Sequence, residues 1–201
     1  MKFFPEVAAF LSVISLGLCA DGTQVKIDQG VVMDIYQKNH GKNYLYADDL
    51  TGCTVFAAHW HEIFTRPEGP YKQALFVHVC QATLATPDLL EKFMTDDSKG
   101  TDKTSIHDWL EEIIGVDGQP EATFLVSKAG SDPKYNNNMI AYLTDNFKIT
   151  IPAANQLTYV GKKDATVIQD PWDTPAVSVP VTGQWHLQFM SRNEDEGIHV
   201  T

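Results

Sequence analysis

Leu50-Thr51-Gly52-Cys53-Thr54-Val55-Phe56-Ala57-Ala58 reads as a tight turn that delivers a cysteine to the start of a buried strand. The apolar run from Thr54 to about His61 lacks clean alternation, as expected of a strand covered on both faces. Arg66-Pro67-Glu68-Gly69-Pro70 is the densest turn signal in the chain. Tyr71 to Gln81, containing Ala74-Leu75-Phe76-Val77-His78-Val79-Cys80, then returns as a second strand. Together they make a β-hairpin, and the rest of the chain is arranged around it.

Outward from the hairpin, short strand candidates precede it at Val25–Ile27, Val31–Ile35 and Tyr44–Tyr46, with a turn at His40–Asn43. After it, Pro87–Met94 has proline at a first helical position and a helical spacing of apolar residues. Thr104 or Ser105 caps a second helix through Ile114, with Gly115 as its stop. Ala122–Ser127 is a strand, Pro133–Asn138 a polar loop, and Met139–Phe147 a third helix. Beyond it, 148–153, 156–161, 165–169, 175–181 and 184–190 are short β-rich runs. The pattern predicts an α+β fold dominated by antiparallel strands, with helices outside.

Residues 1–20 carry Lys2, the apolar run Val7–Leu18 and then Cys19-Ala20, which predicts a secretory signal peptide. Residues 21–201 are expected to form one domain, since no repeat, low-complexity block or linker divides them. Lys2 and Glu6 cancel, so the mature part keeps the formal charge of −11. Such a surface repels nucleic acid and anionic membranes, and the Val7–Leu18 run is too short to span a bilayer. The expectation is a secreted monomer with neither nucleic acid nor a membrane as partner. With Cys19 removed, Cys53 and Cys80 are the mature cysteines, and two cysteines in an exported protein most often form one disulfide.

Cys53 at a glycine turn and His78 on the neighbouring strand are also the minimum parts of a nucleophile and its base. A free thiol titrates near about 8.5, and an adjacent imidazole moves it toward thiolate. Gly52 would permit a sharp backbone, and the amides of Cys53 and Thr54 could then face a developing oxyanion. His59 and His61 are excluded as the base because they lie roughly 20 and 26 Å along the strand from Cys53. His78 depends on register. If the first strand ends near His61, Cys53 faces Val79 and His78 is the next residue. If it runs to Phe64, His78 faces about Ala57, about 13 Å away. In the first register the two side chains point to opposite faces, so a bulge or the turn must re-aim the thiol.

Leu50-Thr51-Gly52-Cys53, followed by a hydrophobic strand, a hairpin and His78 on the return, resembles the Leu-x-Gly-Cys signature of the bacterial toxin glutamine deamidases. These include the catalytic domain of cytotoxic necrotizing factor and the lethal-factor deamidase. The match covers about thirty residues, Leu50 to Val79. The resemblance implies a β-sandwich-like core flanked by helices, and a Cys–His dyad that converts a protein glutamine to glutamate without a cofactor. Cys53 would be the nucleophile and His78 the base and acid, with Gly52 and Thr54 at the oxyanion turn. Several relatives have a threonine six residues before the cysteine, which orients the imidazole; here that position is Ala47. A backbone carbonyl, or Tyr46 or Asp48 beside it, would take that role. The substrate would be a partner protein presenting a glutamine side chain, as for an effector or virulence factor.

Other patterns compete. A non-catalytic secreted β-rich binding protein stapled by a Cys53–Cys80 disulfide is the alternative from another class. His59-Trp60-His61 has a zinc-site spacing, yet no third ligand is identifiable, so partly exposed strand histidines and no metal are expected. Trp109 falls on the apolar helix face and is expected in the core, whereas Trp172 and Trp185 could belong to a carbohydrate platform. Glu111 and Glu112 point apart on a helix and read as a solvated face rather than as paired acids.

Overall fold

The computed structural model describes residues 21–36, 43–60, 65–66, 69–159, 163–168 and 176–178. The organising hairpin is present: β4 (Thr54–Trp60) pairs antiparallel with β6 (Gly69–Val79), and β5 (Thr65–Arg66) pairs with the start of β6. Every residue of β4 is buried, the signature of a strand covered on both faces. β6 is long enough to take β2 (Gln29–Tyr36) along its other edge, antiparallel, with Gln29 opposite His78. β7 (Ala122–Lys128) pairs with β4, and β8 (Gln156–Tyr159) adds to β7, giving the order β2-β6-β4-β7-β8.

The fold is α+β, and its main sheet is mixed. β7 and β8 run parallel, because the chain between them crosses back through α3 (Pro133–Phe147). A second group of strands has the order β1-β3-β9-β10, formed by β1 (Asp21–Gln24), β3 (Asn43–Leu50), β9 (Lys163–Ile168) and β10 (Ala176–Ser178). It too contains a parallel pair, β1 with β3. The pairings β2–β6, β6–β4 and β4–β7 are antiparallel, as the sequence predicts, and the parallel pairs are what make the sheets mixed.

Each helix starts where its capping chemistry lies. Thr86 accepts a hydrogen bond from the Leu89 amide and Pro87 opens α1 (Pro87–Met94), as the sequence predicts. Ser105 caps α2 (Ile106–Asp117) through the Asp108 amide. That helix passes Gly115 and ends at Gly118, whose φ of 79° supplies the left-handed residue that stops a helix. α3 begins at Pro133, capped by Asp132, six residues earlier than expected. Val25–Ile27 is not a strand, and among 148–153 no strand forms; Ile149 and Ile151 are instead buried plugs ahead of β8. Of the turn expected at His40–Asn43, Asn43 opens β3 and 40–42 lie outside the described residues, as do the run 184–190 and residues 1–20.

Strand alternation divides the interior into two cores. Phe56, Ala58 and Trp60 of β4 with Leu75, Val77 and Val79 of β6 face the helices. Val55 and Ala57, with Ala74, Phe76 and Val126, face the other way and pack with Leu45, Ala47 and Leu50 of β3. Cys53 lies in this second core. No helix among the described residues is long and apolar enough to cross a membrane.

Candidate functional site

The turn before β4 is held by groups from neighbouring strands. The Tyr159 hydroxyl donates to the Cys53 carbonyl at 2.9 Å, and Lys128 Nζ donates to the Thr51 carbonyl at 3.1 Å. Gly52 does not adopt a left-handed φ; the glycines that do, among the described residues, are Gly118 and Gly130. The proposed sharp bend therefore owes nothing to glycine's conformational freedom, which corrects the sequence-based account of Gly52. The nearest atoms to a Cβ at Gly52 would be those of the Gln81 side chain, at 3.4–3.5 Å.

The β4–β6 register decides which side chains share the site. Thr54 pairs with Val79 and Val55 with His78. This lies between the two alternatives drawn from the sequence and differs by one residue from the one that put Val79 opposite Cys53. One step changes the face. Cys53 and Val55 are two apart and share a face, and Val55 shares its face with its partner His78. Carried one residue beyond β4, the same alternation puts Cys53, which packs in one core with Val55, diagonal to His78 on one side of the sheet, a relation that spans about 7–8 Å between backbones. No bulge is needed to bring the thiol round. Thr54, paired with Val79, points its side chain to the helix-covered face instead.

His78 is buried, and its Nδ1 lies 3.1 Å from the Val25 carbonyl oxygen. A carbonyl only accepts, so Nδ1 carries the proton and Nε2 is the basic nitrogen of the neutral ring. The group that meets the His78 ring at Nδ1 is therefore a backbone carbonyl, from the segment after β1. Ala47 is buried in the same core as Cys53, and Tyr46 pairs through its backbone with Gln24 and Thr166. Asp48 also lies in β3.

Cys53 is only 5 % exposed. Burial, then the nearby Cys80 and Asp28, push its thiol from an ordinary 9.0 up to about 11. At rest it is a thiol, not a thiolate, which is the reverse of the activation expected beside an imidazole. Cys53 and Cys80 are both free, so the expected disulfide staple is not formed in this structure. Cys80 sits at the exit of β6 and is half-buried. Its Sγ donates to Asp28 Oδ2 at 3.3 Å and lies 3.4 Å from Thr83 Oγ1, while its amide donates to Asp28 Oδ1 at 3.0 Å.

Val25, Asp28 and Tyr159 were not visible as site residues in the sequence. A carbonyl carries no residue signature, and Tyr159 is 106 residues from the Cys53 carbonyl it holds. Asp28, just before Gln29-Gly30, is the one with a local signal, since acidic residues favour turns and tolerate the left-handed φ of 54° it adopts.

The remaining candidates separate. His59 is fully buried rather than partly exposed on its strand, and its Nδ1 lies 3.4 Å from Glu121 Oε2; His61 lies outside the described residues. Among the described residues no group of three side chains could hold a metal ion. Trp109 packs edge-on against Trp60, ring centroids 5.2 Å apart, in the helix-side core. Trp172 and Trp185 lie outside the described residues, and Glu111 and Glu112 are exposed. No family model, curated protein or solved structure matches this chain.

Proposed function

We propose that the chain is a secreted, cysteine-dependent amide hydrolase that deamidates a glutamine side chain of a partner protein, as a monomer and without a cofactor. The observation that carries this is the register: Cys53 and His78 lie on one face of the sheet, on adjacent strands, with the imidazole oriented by the Val25 carbonyl. The sandwich-like core implied by the resemblance is supported by β3, whose buried residues pack on that same face.

The chemistry follows from a protonated resting thiol. His78 Nε2 takes the Cys53 proton as sulfur attacks the carboxamide carbon, and returns it to nitrogen as ammonia leaves. Water, deprotonated by the same imidazole, then attacks the thioester, leaving glutamate and restoring the thiol. On this reading the amides of Cys53 and Thr54, at the start of β4, would supply the oxyanion donors. A thiol that titrates at about 11 makes this a coupled proton transfer, not an attack by a preformed thiolate.

The test is incubation of the purified protein with protein extracts, followed by mass spectrometry for glutamine converted to glutamate. Cys53→Ser and His78→Ala should each abolish conversion while keeping the native circular dichroism. Conversion that survives in Cys53→Ser would remove the proposal.

Burial of Cys53 favours a second reading, a non-catalytic binding protein in which the thiol is core filler. On that reading the wild type converts no glutamine, and Cys53→Ser alters stability alone.

A further inference from the structure

We propose that Cys53 and Cys80 form a reversible cross-strand thiol pair, which closes to a disulfide by exchange with a small disulfide and in which Cys80 reacts first. The β4–β6 ladder ends at Thr54 opposite Val79, and one further step sets Cys53 across from Cys80. Residues directly opposed on antiparallel strands have Cα atoms about 4.5 or 5.5 Å apart. Both spacings fall inside the range of about 4.4–6.8 Å that a disulfide spans. The two sulfurs share a face as well: Cys80 packs against the core cluster that contains Cys53. Both are free, and each is close enough for Cys80 to disfavour ionisation of Cys53.

The surroundings of the two thiols differ, and that difference sets the order. Cys80 is half-buried and has a carboxylate at hand, because Asp28 accepts from its Sγ at 3.3 Å. Thr83 Oγ1 and the Cys80 amide both donate to the other carboxylate oxygen, at 3.1 and 3.0 Å, and hold Asp28 in place. Cys53 is buried, only 5 % exposed, so a dissolved disulfide meets Cys80 before it. The attacking sulfur is therefore Cys80. It displaces one thiolate from the small disulfide and gives its proton to Asp28, which passes it to the departing thiolate. Cys53 then attacks the Cys80 sulfur of the mixed disulfide, breaking that bond and forming the Cys53–Cys80 bond. The second small thiolate leaves with the Cys53 proton. Two protein thiols and one small disulfide become one protein disulfide and two small thiols.

The consequence for activity rests on the proposed function: the closed pair has no free nucleophile at Cys53. An oxidising exterior would keep the protein closed and a reducing cytosol would open it.

The experiment uses the full chain in a Cys19→Ser background, incubated with oxidised glutathione and then mapped by peptide mass spectrometry. The expected product has lost two hydrogens and yields a Cys53–Cys80 linked peptide that dithiothreitol reverses. Cys53→Ser should stop at a glutathione adduct on Cys80. Cys80→Ser should leave Cys53 mostly unmodified over the same time. Asp28→Asn, which keeps the hydrogen-bonding shape but not the proton acceptor, should slow closure several-fold. The proposal is overturned if both wild-type thiols still alkylate freely, if the Cys80 adduct persists without closing, or if Cys53 is the thiol that is modified first. Closure on oxidation, with no glutamine conversion by the reduced protein, would sink the hydrolase and leave the thiol pair standing. Conversion by the reduced protein that never closes on oxidation would do the opposite.

Discussion

Burial sets the behaviour of Cys53 in two measurable ways. Its thiol titrates at about 11 rather than 9.0, so peptide-resolved alkylation should keep accelerating as pH rises toward about 11. A plateau already reached by pH 9.0 would contradict the buried environment. Linkage gives the second effect. Between 9.0 and about 11 the unfolded chain has lost this proton and the folded chain has kept it, so stability falls as pH rises through that window. Cys53→Ala should lack this part of the alkaline loss, as urea titrations across the window would show. Gly52, by contrast, is more tolerant than its place in the motif suggests. An added methyl meets the Gln81 side chain at ordinary contact distance, and no left-handed φ is needed. Gly52→Ala should therefore change unfolding free energy by less than about 1 kcal/mol.

Where one element docks on another, a missing side chain can matter more than one that is present. Gly30 in β2 leaves room for Ile106, the first residue of α2: a Cβ there would lie 2.6 Å from both Ile106 Cδ1 and Cγ1. Gly30→Ala should cost about 1–3 kcal/mol by overpacking. Adding Ile106→Val, which removes Cδ1, should recover part of that loss, and a double-mutant cycle by urea unfolding measures the coupling. Simple additivity of the two substitutions would show that the helix does not press on the strand here. Elements were legible in the sequence where local chemistry was decisive. Thr86-Pro87 marks the start of α1 without help from distant residues. The start of α3 was hidden because Asn136, Asn137 and Asn138 look like loop. Two of them are held by tertiary partners, Asn136 donating to Ser127 Oγ and Asn138 to the Leu84 carbonyl. The site was half legible for a similar reason. Cys53 and His78 announce themselves by residue type, but their shared face depends on a one-residue register that the loop sequence does not fix, and the Val25 carbonyl has no sequence signature at all.

At the scale of the whole molecule, β4 and β6 serve two cores at once. Their alternate residues pack on the helices and on the layer that includes β3, so neither core can loosen without exposing the back of the same two strands. Phe56 and Phe76 are fully buried on opposite faces of this pair, and Phe56 is paired with Val77 in the ladder, next to Phe76. Truncating either to alanine should cost about 3–5 kcal/mol. The informative feature is cooperativity. If the central strands couple the two layers, either variant lowers a single transition, and helix and tertiary signals melt together in far- and near-ultraviolet circular dichroism. If the layer over Cys53 opens separately, Phe76→Ala should split the transition, with the tertiary signal lost before the helices. That second outcome would describe a protein whose thiol becomes accessible by local opening, and alkylation of Cys53 would then follow the first transition rather than global unfolding.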